Sequence, residues 1–173
     1  MLKIFISIAI ALVITGCATP ANRHAMTVSY SETVAKPSEK LKGQVFVRHV
    51  SGGEETNPLW KSKVDAAAFK SALEASLDNA GYRAESSNAK YVLDATLQDL
   101  QQPAIGLTFD VQSFVTYTVT SDGNSKNWPI NAIGTATFSD SPLGMERMRI
   151  ANERSIKENI KAIMNKLNSQ YGN

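Results

Sequence analysis

Three segments in the second half of the chain alternate between apolar and polar residues, and this pattern constrains the fold more than any other feature. They run from 91 to 97, from 107 to 120 and from 128 to 138. Successive side chains of a strand point to opposite faces, so the pattern predicts strands that are buried on one face only. The positions predicted to face the core are Tyr91, Leu93, Ala95, Leu97, Leu107, Phe109, Val111, Val115, Tyr117, Val119, Trp128, Ile130, Ala132, Ala136 and Phe138.

The breaks between these segments predict how the strands connect. Ser121-Asp122-Gly123-Asn124 is a turn signal, so the second and third segments are expected to pair antiparallel. Pro103 interrupts the chain between the first and second segments. Gly134 leaves room in the last strand for a close neighbour or a bulge.

A strand and a helix are predicted before this region. Gln44–Val50 is rich in β-branched and aromatic residues, which favours a core strand. A helix follows, which Asn57-Pro58 or Ser62 could start and which ends before a C-capping Gly81. Its apolar stripe consists of Val64, Ala68, Ala72, Leu73, Leu77 and Ala80.

The last predicted element is a helix from about Leu143 to Leu167, after which residues 168–173 are expected to fray. Its predicted i,i+4 ion pairs are Glu153–Lys157 and Arg154–Glu158. Its apolar stripe consists of Ile156, Ile160, Ile163 and Leu167. The basic residues of this helix fit either contact with acidic headgroups or an ordinary solvated face.

The order strand, helix, three strands, helix predicts the α+β class. We expect a two-layer sandwich, in which a mostly antiparallel four-stranded sheet carries two amphipathic helices on one face. The first strand is joined through a helix, so it could lie parallel to one of the others through a right-handed crossover.

The amino terminus has the pattern of an export signal. Lys3 precedes an apolar run from Ile4 to Ile14, which is shorter than the ~20 residues that span a bilayer. The end of the run, Ile14-Thr15-Gly16-Cys17, resembles the lipobox of bacterial lipoproteins. The resemblance implies cleavage between Gly16 and Cys17, a lipid on the Cys17 sulfur and a fatty acyl chain such as palmitate on the new amino terminus.

Two further residues bear on the anchor. Cys17 is the single cysteine of the chain, so no intramolecular disulfide can form. The alternative is an ordinary secreted protein with a thiol near its cleavage site. Ala18 stands where Asp commonly signals inner-membrane retention in Gram-negative lipoproteins. The resemblance therefore implies the outer membrane, with the domain facing the periplasm.

These signals predict a signal peptide (1–16), a lipidated amino terminus with a flexible tether (17–42) and a single α+β domain (43–173). A flexible tether of that length spans on the order of 25–30 Å. Removal of Lys3 leaves basic and acidic residues nearly balanced, which argues against nucleic acid as a partner. The element order resembles that of small outer-membrane lipoproteins of the lipopolysaccharide-assembly and lipid-transport auxiliary type, and implies no binding residues.

Residues with catalytic potential are few. His24 lies in the predicted tether and His49 near the end of the first strand, without metal-ligand spacing or a nucleophile motif. Ser51-Gly52-Gly53 could cradle an anion but fits a plain turn better. The carboxylates Asp94, Asp99 and Asp110 could be paired for acid–base work, but a solvated sheet face is the default explanation for them. We therefore predict no cofactor, no metal and no enzymatic activity.

The polar face of the predicted sheet is the best candidate for binding. It is rich in Thr and Gln and carries few charges, with Phe114 as an apolar exception. The residues predicted to contact a partner are Thr96, Gln98, Gln112, Phe114 and Thr116. The leading hypothesis is a non-catalytic accessory lipoprotein that binds an envelope protein or a lipid or glycan component. The alternatives are an envelope enzyme or lipid-processing factor, and a passive structural or surface-exclusion lipoprotein.

Overall fold

The computed structural model describes residues 20–32, 37–54 and 63–172, and its strands lie close to the alternating segments of the sequence. Short 3-10 turns at Tyr30–Glu32 and Glu39–Leu41 precede the first strand. The helices and strands are α1 (Arg23–Met26), β1 (Val45–Gly52), α2 (Ala66–Asn79), β2 (Tyr91–Gln101), β3 (Phe109–Ser121), β4 (Asn124–Ala136) and α3 (Gly144–Tyr171). The predicted signal peptide and Cys17 lie outside the described residues.

The four strands form one mixed sheet in the order β1-β2-β3-β4. β1 and β2 are parallel with α2 between them in the chain, whereas the other two neighbouring pairs are antiparallel. The turn from β3 to β4 has positive φ at Asp122 (51°) and Gly123 (76°), which suits a tight hairpin. The predicted α+β class and the meander of the three later strands are confirmed. The sheet is not antiparallel throughout, and the two-layer arrangement stays a prediction.

The core forms between the inward face of the sheet and the apolar stripes of α2 and α3. Leu93 of β2, Leu73 of α2 and Ile160 of α3 are all fully buried in the same cluster. Each such side chain contributes roughly 1.5–3 kcal/mol when it leaves water. The four apolar residues predicted to line the last helix are fully buried, as expected.

Helix α2 starts later than its first possible signal. Asp65 is the N-cap, and its carboxylate accepts a hydrogen bond from the Ala68 backbone N–H at 2.7 Å. The predicted start residues, Asn57, Pro58 and Ser62, lie outside the described residues. After the helix, Gly81 has a φ of 72°, which confirms the predicted left-handed residue at its end.

Helix α3 extends further than predicted. Its last residue, Tyr171, packs its ring 4.5 Å from that of Tyr91 and 5.9 Å from that of Trp128, measured between centroids. The prediction that the chain frays from 168 is therefore wrong up to this residue, because two aromatic rings of the sheet hold the last turn. None of the helices in the three described ranges combines the length and apolar character needed to cross a membrane.

Much of the segment predicted as a flexible tether belongs to the folded domain. Met26, Val28 and Leu41 are fully buried in the main core cluster. The tether prediction is thus corrected for residues 20–32 and 37–42. The polar residues around these three side chains hide the pattern in the sequence, since no periodic stripe links them.

Two carboxylates tie this segment to α3. Asn22 donates its backbone N–H to the Glu153 carboxylate at 2.7 Å, and Arg149 pairs with the same group. Glu153 is buried, and this burial raises its pKa. Lys157 lies 2.7 Å from the Glu32 carboxylate. The predicted Glu153–Lys157 pair is wrong, because both residues have partners elsewhere.

Three other details differ from expectation. Arg154 pairs with Asp140 at 2.7 Å and not with Glu158. Leu107 and Phe138 were predicted to face the core, but both lie in loops beyond the strand ends and are exposed. Apolar and polar residues can continue to alternate by chance after the last hydrogen bond between two strands. The alternation therefore cannot mark where a strand ends.

Candidate binding face of the sheet

The outward face of β2 and β3 brings most of the predicted binding residues together. Thr96 lies directly opposite Thr116 in the antiparallel register. Phe114 and Gln112 follow on the same face of β3, and both are half-buried. Opposite positions on neighbouring strands have Cβ atoms about 5 Å apart, so these side chains form one continuous surface.

Gln98 is placed differently. The register of β2 against β3 shifts between Leu97 and Asp99, so Gln98 is the extra residue of a β-bulge. With Gly52 and Gly53 it lines a cleft of about 220 Å³ beside the end of β1. The alternation predicts Gln98 on the same face as Gln112 and Thr116 of β3, because the sequence gives no sign of the bulge.

Most polar groups of this face already have cross-strand partners. The Ser51 hydroxyl lies 3.0 Å from that of Thr96, and the Thr118 hydroxyl donates to the Asn127 side chain at 2.9 Å. Since these groups are paired, covering them costs less than covering isolated hydroxyls. They stabilise the surface and leave few free donors for a ligand.

An ion pair marks the β1 side of the face. Arg48 donates from Nε to the Asp94 carboxylate at 3.0 Å and from a second nitrogen to its other oxygen. This hydrogen bonding raises the pKa of the Arg48 guanidinium. Such a bidentate ion pair on an exposed strand is typical of a position that fixes the orientation of a bound partner more than it adds to the binding affinity.

Apolar side chains interrupt the polar rows at the β4 side. Ile133 is 57 % exposed and lies opposite Gln112, which makes it a diagonal neighbour of the half-buried Phe114. Diagonal neighbours are within reach of aromatic side chains. Ile133 is not among the predicted binding residues, although its place between Ala132 and Gly134 puts it on the polar side of the alternation.

The candidate catalytic residues do not assemble. His49 is exposed and lies opposite Asp94, whose carboxylate is engaged by Arg48. Asp110 accepts a hydrogen bond from the Thr135 hydroxyl at 2.6 Å. Within residues 20–32, 37–54 and 63–172, no three His, Cys, Asp or Glu side chains converge as metal ligands would.

Ser51 and Gly52 are the last two residues of β1 and Gly53 follows directly, so the plain turn expected here is wrong. Gly53 donates to the Leu97 carbonyl at 3.3 Å, and the next residue, Glu54, donates to the Val64 carbonyl at 3.1 Å. These bonds hold the end of β1 against β2 and the chain before α2. The anion-cradle alternative therefore lacks the free donors that it needs.

A second surface is not predicted by the sequence. Four exposed apolar side chains occupy the loops at 102–108 and 137–143, and we call them the apolar tip. They are Ile105, Leu107, Phe138 and Leu143. The loops meet at Arg147 of α3, which is buried although it is charged. The one sequence pattern that could have indicated this surface is the pair of apolar residues, Ile105 and Leu107, on either side of Gly106.

Comparison with known proteins gives structural similarity alone. No family model and no curated protein matches the chain. A candidate lipoprotein from Caulobacter crescentus CB15 has a TM-score of 0.49 at 14 % identity, over 78 % of this chain and 94 % of that one. A protein of the DUF330 family from Xanthomonas campestris has a TM-score of 0.49 at 10 % identity, over 80 % and 96 %. A minor lipoprotein from Acinetobacter baumannii has 0.47 at 12 %, over 73 % and 92 %. Similarity at this level does not identify a function.

Proposed function

We propose that this chain is a lipid-anchored lipoprotein of a bacterial envelope, held by acyl chains on Cys17 at the periplasmic face of the outer membrane. The observation that carries the proposal is Ile14-Thr15-Gly16-Cys17 at the end of a short apolar signal, in a chain without another cysteine. One acyl chain binds a membrane only marginally, whereas two or three hold a protein stably.

The beginning of the fold is compatible with an anchor close to the domain. Ala21 donates its backbone N–H to the Lys63 carbonyl at 3.4 Å, and its side chain is buried. Only three residues separate it from Cys17. A lipid on that cysteine would keep the domain against the membrane surface.

We further propose that the domain is non-catalytic and binds an envelope protein through the outward face of β2, β3 and β4. Ile133 and Phe114 supply the apolar centre of this face, and polar residues such as Thr96 and Thr116, which lie opposite each other, surround it. An apolar centre with a polar rim is the usual anatomy of a protein interface. Lipid or glycan ligands are the alternatives that the experiment must separate.

The anchor is tested by metabolic labelling with palmitate in a Gram-negative host. We expect the wild-type chain to incorporate label and to fractionate with the outer membrane, whereas Cys17→Ala incorporates none and is released from membranes. Equal labelling of both chains would refute lipidation of Cys17. Label with inner-membrane fractionation would refute the assigned membrane.

The binding face is tested by photo-crosslinking in cells, with a photoreactive amino acid at Thr116. The matched control carries it at Glu158, on the exposed side of α3 with a side chain 52 % exposed. We expect one discrete protein adduct from Thr116 that disappears when Ile133→Ser is added, and none from Glu158. Adducts that are equal at both positions, or absent from both, contradict a protein partner at this face. A diffuse adduct sensitive to lipase or glycosidase favours the other ligands.

A further inference from the structure

The apolar tip concentrates exposed apolar side chains at one end of the domain. Ile105 is 91 % exposed, Leu107 73 %, Leu143 62 % and Phe138 57 %. Among the described residues, the large apolar or aromatic side chains that are exposed number six, and the remaining two are Tyr30 and Ile133. Exposed apolar groups that cluster mark a contact surface more often than scattered ones do.

Arg147 holds the two loops of the tip together from inside. Its guanidinium donates to the carbonyls of Ser141 and Pro142, at 2.8 and 3.0 Å, and to that of Gly106 at 3.2 Å. It also lies over the ring of Phe138, 5.6 Å from its centroid. Among the described residues it has no carboxylate partner. A buried cation that binds only carbonyls and rings fixes the shape of both loops.

A second arginine of α3 fixes the loop at 137–143. Arg154 pairs with Asp140 and also donates to the carbonyl of Thr135 at 2.6 Å. The Asp140 carboxylate accepts in addition the N–H of Thr137 at 2.8 Å. These bonds hold the loop in one conformation with its apolar side chains exposed to solvent. Binding through these side chains therefore costs little additional conformational entropy of the chain.

The tip lies at the end of the sheet from which the lipobox is within reach. β2 ends, β3 begins and β4 ends there, and α3 begins there at Gly144. Asn22 binds Glu153, nine residues from Gly144, which is about 14 Å along a helix. Cys17 precedes Asn22 by five residues, which span at most about 17 Å. The anchored residue can therefore reach the level of the tip.

We propose that the apolar tip inserts into the same bilayer leaflet that holds the acyl chains of Cys17, as a second membrane contact of this protein. This inference rests on the proposed lipid anchor. Two observations indicate that the partner of the apolar tip is the membrane. The chain between Cys17 and Asn22 is short, so the anchored domain stays close to the bilayer. The tip also offers aliphatic and aromatic groups that suit the interface between headgroups and acyl chains. The contact would fix the orientation of the domain and turn the end with Asp122 away from the membrane.

The test uses the full lipidated chain, in which the Cys17 sulfur is blocked and a new cysteine can be labelled selectively. An environment-sensitive fluorophore is attached at Leu107→Cys or Leu143→Cys, with Lys126→Cys near the β3–β4 turn as the matched control. The three proteins are reconstituted in vesicles of phosphatidylethanolamine and phosphatidylglycerol that contain a lipid with a nitroxide high on its acyl chain. Thermal melts check that each variant is folded.

We expect the fluorophores at 107 and 143 to shift to shorter wavelength and to be quenched severalfold more strongly by the nitroxide than the one at 126. If the chain floats with the vesicles but all three fluorophores stay equally accessible to an aqueous quencher, the tip does not insert. A wavelength shift without nitroxide quenching, seen in vesicles and in detergent alike, means that a second copy or another protein covers the tip, and overturns the proposal. If the fluorophore also attaches to Cys17 and the chain fails to float with the vesicles, the cysteine carries no lipid. The anchor itself is then absent, which removes both proposals.

Discussion

The backbone of Gly134 on β4 touches the backbone of Ser155 on α3. A Cβ atom at Gly134 would lie 2.1 Å from the Ser155 nitrogen and 2.3 Å from the Ala151 carbonyl oxygen. Because both neighbours are helix backbone, no side-chain rotation can relieve such a contact. The long helix crosses the sheet at this point, and the absence of a side chain permits it.

Gly134→Ala should therefore destabilise the protein by about 3 kcal/mol or more, since overpacking against backbone forces the helix away from the sheet. Gly144→Ala is the matched control, because the nearest atom to its added Cβ is 3.8 Å away. It should be neutral or stabilise by up to about 1 kcal/mol, as Ala is the better helix former. Urea denaturation of both variants measures the difference. Equal stabilities would contradict the close crossing.

The amino-terminal segment should contribute to stability as part of the core. Met26 is fully buried, so Met26→Ala should cost about 2–5 kcal/mol in the free energy of unfolding. His24, two residues earlier on α1, is exposed. His24→Ala should change stability by less than about 0.5 kcal/mol. A Met26→Ala variant as stable as wild type would restore the flexible tether.

The Glu32–Lys157 pair should make stability depend on pH in acid. The hydrogen bond from Lys157 chiefly lowers the pKa of Glu32 from 4.5 to about 2. A lowered folded-state pKa contributes stability above the unfolded value, and the contribution is lost as the pH falls from about 4.5 towards 2. Because the carboxylate is 41 % exposed, solvent screens the pair.

Glu32→Gln should thus cost about 0.5–1 kcal/mol at pH 7 and almost nothing near pH 2. Denaturation across this range, with Glu39→Gln as the exposed control, measures the effect. The Glu39 side chain is 87 % exposed, so its substitution should change little at any pH. A Glu32→Gln cost that does not depend on pH would contradict the role of its charge.

Arg147 should order the apolar tip. Arg147→Met leaves three carbonyls without their donor, and we expect a cost of about 2–4 kcal/mol. Arg147→Lys should recover little of it, because a single ammonium cannot serve both loops as a planar fork does. Hydrogen exchange should rise at 104–108 and at 137–142 in both variants. Exchange that rises evenly over the whole domain would instead indicate a general loss of stability.

Some parts of the candidate surfaces could be anticipated and others could not. The alternation from Tyr91 to Leu97 predicts correctly that Thr96 faces outward, because a strand has a period of two whatever its neighbours are. Nothing local in the sequence predicts the bulge that moves Gln98 to the edge of a cleft. The exposure of Leu107 depends on where the ladder to β4 ends, which is a property of two strands together.

The sequence by itself determined the α+β class, the meander of the last three strands and the apolar stripe of α3, because periodicity and turn residues act over a few neighbouring positions. It also carries the lipobox resemblance, which needs no fold. Only the tertiary structure decided that Met26 and Val28 belong to the core, that Glu153 binds Asn22, and that Arg147 joins two distant loops. These contacts join residues far apart in the chain, and their free energy comes from burial that exists only once the helices have packed on the sheet.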